Sequence, residues 1–97
     1  MFDPLIHQPL RTTILSVIAA SDDGASFREL LEKTGATNGN LASHLRTLEE
    51  ANYLSVEKSF EGRRPKSCYR LTQQGYSAFL SYIDALEHFV RQTQKGQ

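Results

Sequence analysis

The sequence predicts an α+β fold that is mostly helical: three short helices, a β-hairpin and a long C-terminal helix. Apolar residues recur at helical spacing across residues 9–51 and again beyond residue 72. From Leu54 to Leu71 they instead alternate with polar residues, as in half-exposed strands. At 97 residues, with 39% hydrophobic and 23% charged side chains, the chain has the composition of one globular domain with one modest core.

Each element has its own local reason. Pro9 suits a first helical turn, where its missing N–H is no loss, and Leu10, Ile14, Leu15 and Ile18 give that helix an apolar side as far as Ala20. Ser21-Asp22-Asp23-Gly24 supplies turn chemistry. Ser26 followed by Glu29 is a capping-box pattern that starts a second helix at Phe27, with Leu30 and Leu31 toward the core. Gly35 fits the left-handed position that ends this helix. Thr37 caps a third helix over residues 38–51, anchored by Leu41, Leu45 and Leu48, and Asn52 suits a left-handed exit.

After Tyr53 the period changes to two. Leu54, Val56, Lys58 and Phe60 alternate with Ser55, Glu57 and Ser59; residues 61–65 read as the loop, and Ser67, Tyr69 and Leu71 as one face of a return strand. Thr72 then caps a last helix over residues 73–93. The order helix, helix, helix, hairpin, helix is that of a winged helix-turn-helix, here one domain over residues 1–97.

The last helix has more apolar surface than one small core needs. Tyr76, Phe79, Ile83, Leu86 and Val90 follow a heptad stripe, while Leu80, Tyr82 and Phe89 lie off it. One face closes the core; the other calls for a partner, most simply a second copy of the chain. Tyr76, Phe79, Ile83, Leu86, Phe89 and Val90 are therefore the expected dimer interface.

Several function classes find no support. Cys68 is the only cysteine, which rules out an intramolecular disulfide and a multi-cysteine zinc cage. His7, His44 and His88 have no metal-ligand spacing, and Asp84 with His88 reads as a solvated surface pair. No nucleotide loop, zinc-protease motif or nucleophile elbow occurs, so no enzyme, metal or cofactor is expected. No apolar run approaches the ~20 residues of a membrane span, and the N-terminus lacks a signal-peptide pattern. A cytoplasmic protein away from the membrane is the expectation.

Charge is balanced overall but not locally. Residues 1–53 carry four Lys and Arg against seven Asp and Glu, whereas residues 54–71 carry five against two. The basic excess sits on the hairpin, where Lys58, Arg63, Arg64 and Lys66 can meet phosphates or a minor groove. On the third helix, the side opposite the leucines carries Gly39, Asn40, Ser43, Arg46, Thr47 and Glu50. Asn40, Ser43, Arg46 and Thr47 have the donor and acceptor chemistry to read base edges, while Thr37 and Asn38 at the helix start suit a phosphate. Glu49 and Glu50 would repel a phosphate strand. His44 lies at the edge of the buried stripe and reads as a packing residue; Cys68 reads as an inert, outward-facing thiol.

The stretch "NGNLASHLRTLEEANYLSVEKSFEGRRPKSCYRLTQQG" resembles the compact winged-helix transcriptional regulators related to the MarR and ArsR families. The resemblance extends from about Leu5 to Leu86. It implies a homodimer paired through terminal helices, bound to a pseudo-palindromic operator on double-stranded DNA. Each copy would put residues 38–51 in the major groove and the wing, residues 58–70, on the backbone or minor groove. The chain lacks the cysteine cluster and histidine-rich last helix of the metal-sensing ArsR branch, and it is shorter than typical MarR proteins. The alternative is a winged helix that binds a protein and no DNA.

Overall fold

Local signals set nearly every boundary in the computed structural model, which describes residues 2–95. Helix α1 spans Pro9–Ala19, and the Gln8 side chain accepts a hydrogen bond from the Arg11 amide at 2.8 Å. Strand β1 is only Ala25–Ser26. Helix α2 spans Phe27–Thr34 behind a complete capping box: Ser26 Oγ accepts from the Glu29 amide, and the Glu29 carboxylate accepts from the Ser26 amide. Gly35 ends it at φ 69°.

Helix α3 spans Asn38–Glu50, with Thr37 Oγ1 accepting from the Asn40 amide. Asn52, at φ 64°, turns the chain into β2, Leu54–Glu61. Strand β3 is Arg64–Leu71, and α4 runs Gln73–Lys95. Thr72 Oγ1 accepts from the Gly75 amide at 2.9 Å, so the expected cap of α4 is present.

The sheet is antiparallel in the order β1-β3-β2. Leu54 pairs with Leu71, and the ladder closes at Glu61 opposite Arg64. The expected loop over residues 61–65 is therefore a two-residue turn, Gly62-Arg63, and Arg64, Pro65 and Lys66 belong to the return strand. A two-residue turn matches the twist of paired strands when a glycine supplies positive φ, and Gly62 sits at 66°. Pro65 is tolerated because β1 flanks β3 only at Cys68 and Tyr69, leaving that stretch an edge. Strand β1 itself was not anticipated, since two residues are too few to show alternation.

The core collects Ile14, Leu15 and Ile18 from α1, Leu30 from α2, Leu41, Leu45 and Leu48 from α3, Leu54 from β2, and Phe79 and Tyr82 from α4. Burying a side chain of this kind stabilises the fold by about 1.5–3 kcal/mol. Ile6, before α1, is fully buried among them, and its segment is strapped down. The Tyr53 hydroxyl donates to Asp3 Oδ2 at 2.5 Å, and His7 Nδ1 lies 3.0 Å from the Tyr82 hydroxyl. The hydrogen bond to Asp3, with burial second, pushes the Tyr53 pKa up to about 12.

Helix α4 corrects one expectation. Its buried line is Gly75, Phe79 and Tyr82, so Phe79, expected at a dimer interface, packs inside the chain's own core. Tyr82, off the heptad stripe, is buried beside it because positions 75, 79 and 82 share a helix face. Ile83 and Leu86 are half-buried, while Tyr76, Leu80, Phe89 and Val90 remain exposed.

Candidate nucleic-acid interface

Three residues, Gly35, Ala36 and Thr37, join α2 to α3. With Leu41, Leu45 and Leu48 buried at 0–1% exposure, the opposite side of α3 must face solvent. Thr37, Asn38, Asn40, Ser43 and Arg46 are all exposed there. Thr47 is half-buried, and its hydroxyl donates to the Ser43 carbonyl at 3.1 Å, so it is the least available of the expected base-reading set. Near the start of α3, the Asn40 amide is taken by Thr37 Oγ1 and the Leu41 amide by the Thr37 carbonyl, at 2.9 Å. The Asn38 and Gly39 amides precede any helical acceptor and point out of the helix end, where an anion is favoured.

His44 is tied inward. Arg11 Nε donates to His44 Nδ1 at 3.0 Å, and Arg11 Nη1 donates to the Leu5 carbonyl at 3.2 Å. Accepting at Nδ1 puts the neutral ring's proton on Nε2. Burial, with the Arg11 charge second, lowers the His44 pKa. The packing role expected for His44 thus becomes a specific latch between α1 and α3, which no local pattern in the sequence could show because the partners lie 33 residues apart.

On the hairpin, Lys58, Arg63, Arg64 and Lys66 are exposed. Lys66 meets Glu61 at 3.2 Å and Arg70 meets Glu57 at 3.1 Å, while the ion pairs among the described residues leave out Lys58, Arg63 and Arg64. Exposed pairs such as Lys66 with Glu61 are worth about 0–1 kcal/mol, too little to withhold Lys66 from a phosphate. Between the first turn of α2 and β3 lies an open groove of about 430 Å³, lined by Ser26, Phe27, Arg28, Glu61, Arg64, Pro65, Lys66 and Ser67. Arg28 adds a third cation to that groove. It escaped the sequence reading because only the β1–β3 pairing carries the start of α2 to the wing. Cys68 is half-buried and its thiol donates to the Asp23 carbonyl at 3.4 Å, a packing contact beneath the turn.

The pattern that defines the winged helix DNA-binding domain matches residues 10–90 of this chain. The chain belongs to that family. An uncharacterized protein of Methanocaldococcus jannaschii is 33% identical over 79 residues, covering 81% of this chain and 85% of its own length. Among solved structures, a transcriptional regulator homologue from Pyrococcus horikoshii OT3 superposes with a TM-score of 0.83 at 22% identity, over 92% of this chain and 87% of that one. A transcriptional regulator of the MarR family from Enterococcus faecalis V583 gives 0.75, also at 22% identity, over 95% and 81%. This winged helix therefore shares the fold of MarR-family regulators and is a DNA-binding module, not an enzyme. In that architecture α3 is the second helix of the helix-turn-helix and β2–β3 is the wing. No helix among the described residues is long and apolar enough to cross a membrane.

Proposed function

We propose that this winged helix is a sequence-specific transcriptional regulator that binds a pseudo-palindromic operator as a homodimer. Residues 38–51 enter the major groove and the wing, residues 58–70, lies on the backbone or in the adjacent minor groove. The observation that carries the reading is the combination of two exposed surfaces: a polar, acid-poor face on α3 and a basic hairpin on which Lys58, Arg63 and Arg64 stand outside the ion pairs. Asn40, Ser43 and Arg46 read base edges, with Thr47 a lesser contributor. Thr37, Asn38, Lys58, Arg63, Arg64 and Lys66 hold the phosphate strands, and Arg28 joins them.

The domain spans residues 1–97, with α4 as its dimerisation element. Tyr76, Leu80, Phe89 and Val90 are exposed apolar side chains along this helix, and a shallow groove of about 350 Å³ runs beside Ile83, Leu86 and Val90. A two-fold dimer sets its recognition helices about one turn of DNA, ~34 Å, apart.

Selection of bound duplexes from a random pool tests this reading, and an enriched inverted repeat is expected. On the selected site, Arg63→Ala with Arg64→Ala should weaken binding to all sequences alike. Each lost phosphate contact should flatten the plot of log affinity against log salt by about 0.9. Asn40→Ala should instead relax base preference at about 1–3 kcal/mol. A pool with no enrichment, and no binding of duplex at low salt, would refute the proposal in favour of a protein-binding module.

A further inference from the structure

We infer that Phe60, backed by Pro65, is an apolar reader of the DNA minor groove at the wing tip, a proposal that rests on the DNA-binding reading above. Phe60 is 73% exposed, more than any other large hydrophobic side chain that stands exposed among the described residues. Those others, Tyr76, Leu80, Phe89 and Val90, all belong to α4. Phe60 therefore needs an explanation separate from the α4 face.

The register supplies its setting. Phe60 pairs across the ladder with Pro65, Lys58 with Ser67, Val56 with Tyr69 and Leu54 with Leu71. Residues two apart share a sheet face, so these four pairs form one continuous surface. At its base Leu54 is buried and Val56, Tyr69 and Leu71 are half-buried against the helices. About 13 Å beyond Val56, at ~3.3 Å per residue, the same face ends in the Phe60–Pro65 pair with no body beneath it. The base of this face belongs to the core that α3 shares, where Leu54 joins Leu41, Leu45 and Leu48. On the DNA-binding reading above, this wing flanks a duplex seated on the exposed side of α3.

Charge decides what kind of surface covers the ring. Lys58 shares its face, Arg63 occupies the turn, and Arg64 and Lys66 stand on the opposite face. Glu57 and Glu61 share that opposite face and Glu61 pairs with Lys66, so the positive rim is set by Lys58, Arg63 and Arg64. An apolar centre with a net positive rim matches a minor groove, whose deoxyribose walls are apolar and whose rims are phosphates. Phenylalanine and proline are among the side chains that wedge into minor grooves, and flexible pyrimidine–purine steps accept them at least cost. Contact through Phe60 releases no counterion, so it adds affinity that salt does not remove.

The test uses the full chain and the selected duplex, with anisotropy titrations over a range of salt. Phe60→Ala is expected to bind about tenfold more weakly with an unchanged salt slope, as loss of an apolar contact requires. Phe60→Leu should recover most of that affinity. Placing G·C pairs in the minor groove beneath the wing should weaken wild type more than Phe60→Ala. Since the ring is exposed, the melting temperature of each variant should match wild type, which separates a binding defect from a folding one. Undiminished binding by Phe60→Ala, or a change of its light-scattering mass, would overturn this inference alone. Wild-type protein that binds no duplex would overturn the DNA reading together with it.

Discussion

Gly75→Ala is expected to loosen α4 from the rest of the fold, although alanine is the better helix former. A Cβ at position 75 would lie 2.0 Å from the Tyr53 carbonyl oxygen, 2.8 Å from its carbon and 2.9 Å from its Cα. All three atoms are backbone, so no side-chain rotation relieves the clash. Tyr53 cannot yield easily. Its amide donates to the Leu48 carbonyl at 2.9 Å, its carbonyl accepts from the Thr72 amide at 3.1 Å, and its hydroxyl is held by Asp3. The helix must therefore shift by about 1 Å, which strains the Thr72 cap and lifts Phe79 and Tyr82, each only 6% exposed, from the core.

Overpacking of this kind costs about 1–3 kcal/mol and a weakened cap about 1 kcal/mol. The helix propensity of alanine over glycine returns about 1 kcal/mol. The net loss is about 1–3 kcal/mol, or roughly 5–20 °C in Tm for a domain of this size. Circular dichroism melts at matched protein concentration measure it, because a dimer makes Tm concentration-dependent. Gly39→Ala is the control: a Cβ there meets nothing within 4 Å, so stability should rise by up to about 1 kcal/mol. A Gly75→Ala protein that melts at or above wild type would refute the reasoning.

Two further outcomes are expected. His44 has a lowered pKa in the fold, so below about 6.5 the unfolded chain takes up more protons and this contribution to stability, full above that pH, is lost as pH falls. Thermal melts between pH 7.5 and 5.5 should show a steeper loss for wild type than for His44→Gln, and parallel losses would count against the Arg11–His44 latch. Leu80→Glu combined with Val90→Glu should convert a dimer to a monomer by light scattering; an unchanged mass would remove this face of α4 as the interface.

Features that act within a few residues were legible in the sequence. The Ser26–Glu29 capping box, Gly35, Thr37, Asn52 and Thr72 each work through their own backbone neighbourhood, and the structure places each as its chemistry requires. The leucine stripe of α3 was equally plain, which put Asn40, Ser43 and Arg46 on its exposed side. Features made by distant segments were not. The β1–β3 pairing joins residues more than 40 apart and brings Arg28 to the wing. Which α4 stripe is buried depends on the close approach of Gly75 to Tyr53, a backbone contact that a hydrophobic period cannot encode; the heptad therefore favoured Phe79 for a partner it cannot reach.

The same close approach bears on function. The carbonyl of Tyr53, one residue before β2, receives the Thr72 amide, while the Tyr53 amide is bonded to Leu48 in α3. Helix α3, the wing and α4 thus meet at one residue, and Gly75 lets them meet without a spacer. If α4 pairs the two copies, the distance between their recognition helices is set through this junction, not through a flexible connection. A rigid junction fixes half-site spacing but leaves each wing free to extend, since its tip has no body beneath Phe60. Spacing is then a property of the packed centre and flank preference a property of the wing. On the proposed function, this division would let a chain with no net charge select DNA: position would come from geometry, and attraction would be needed only where the basic hairpin lies.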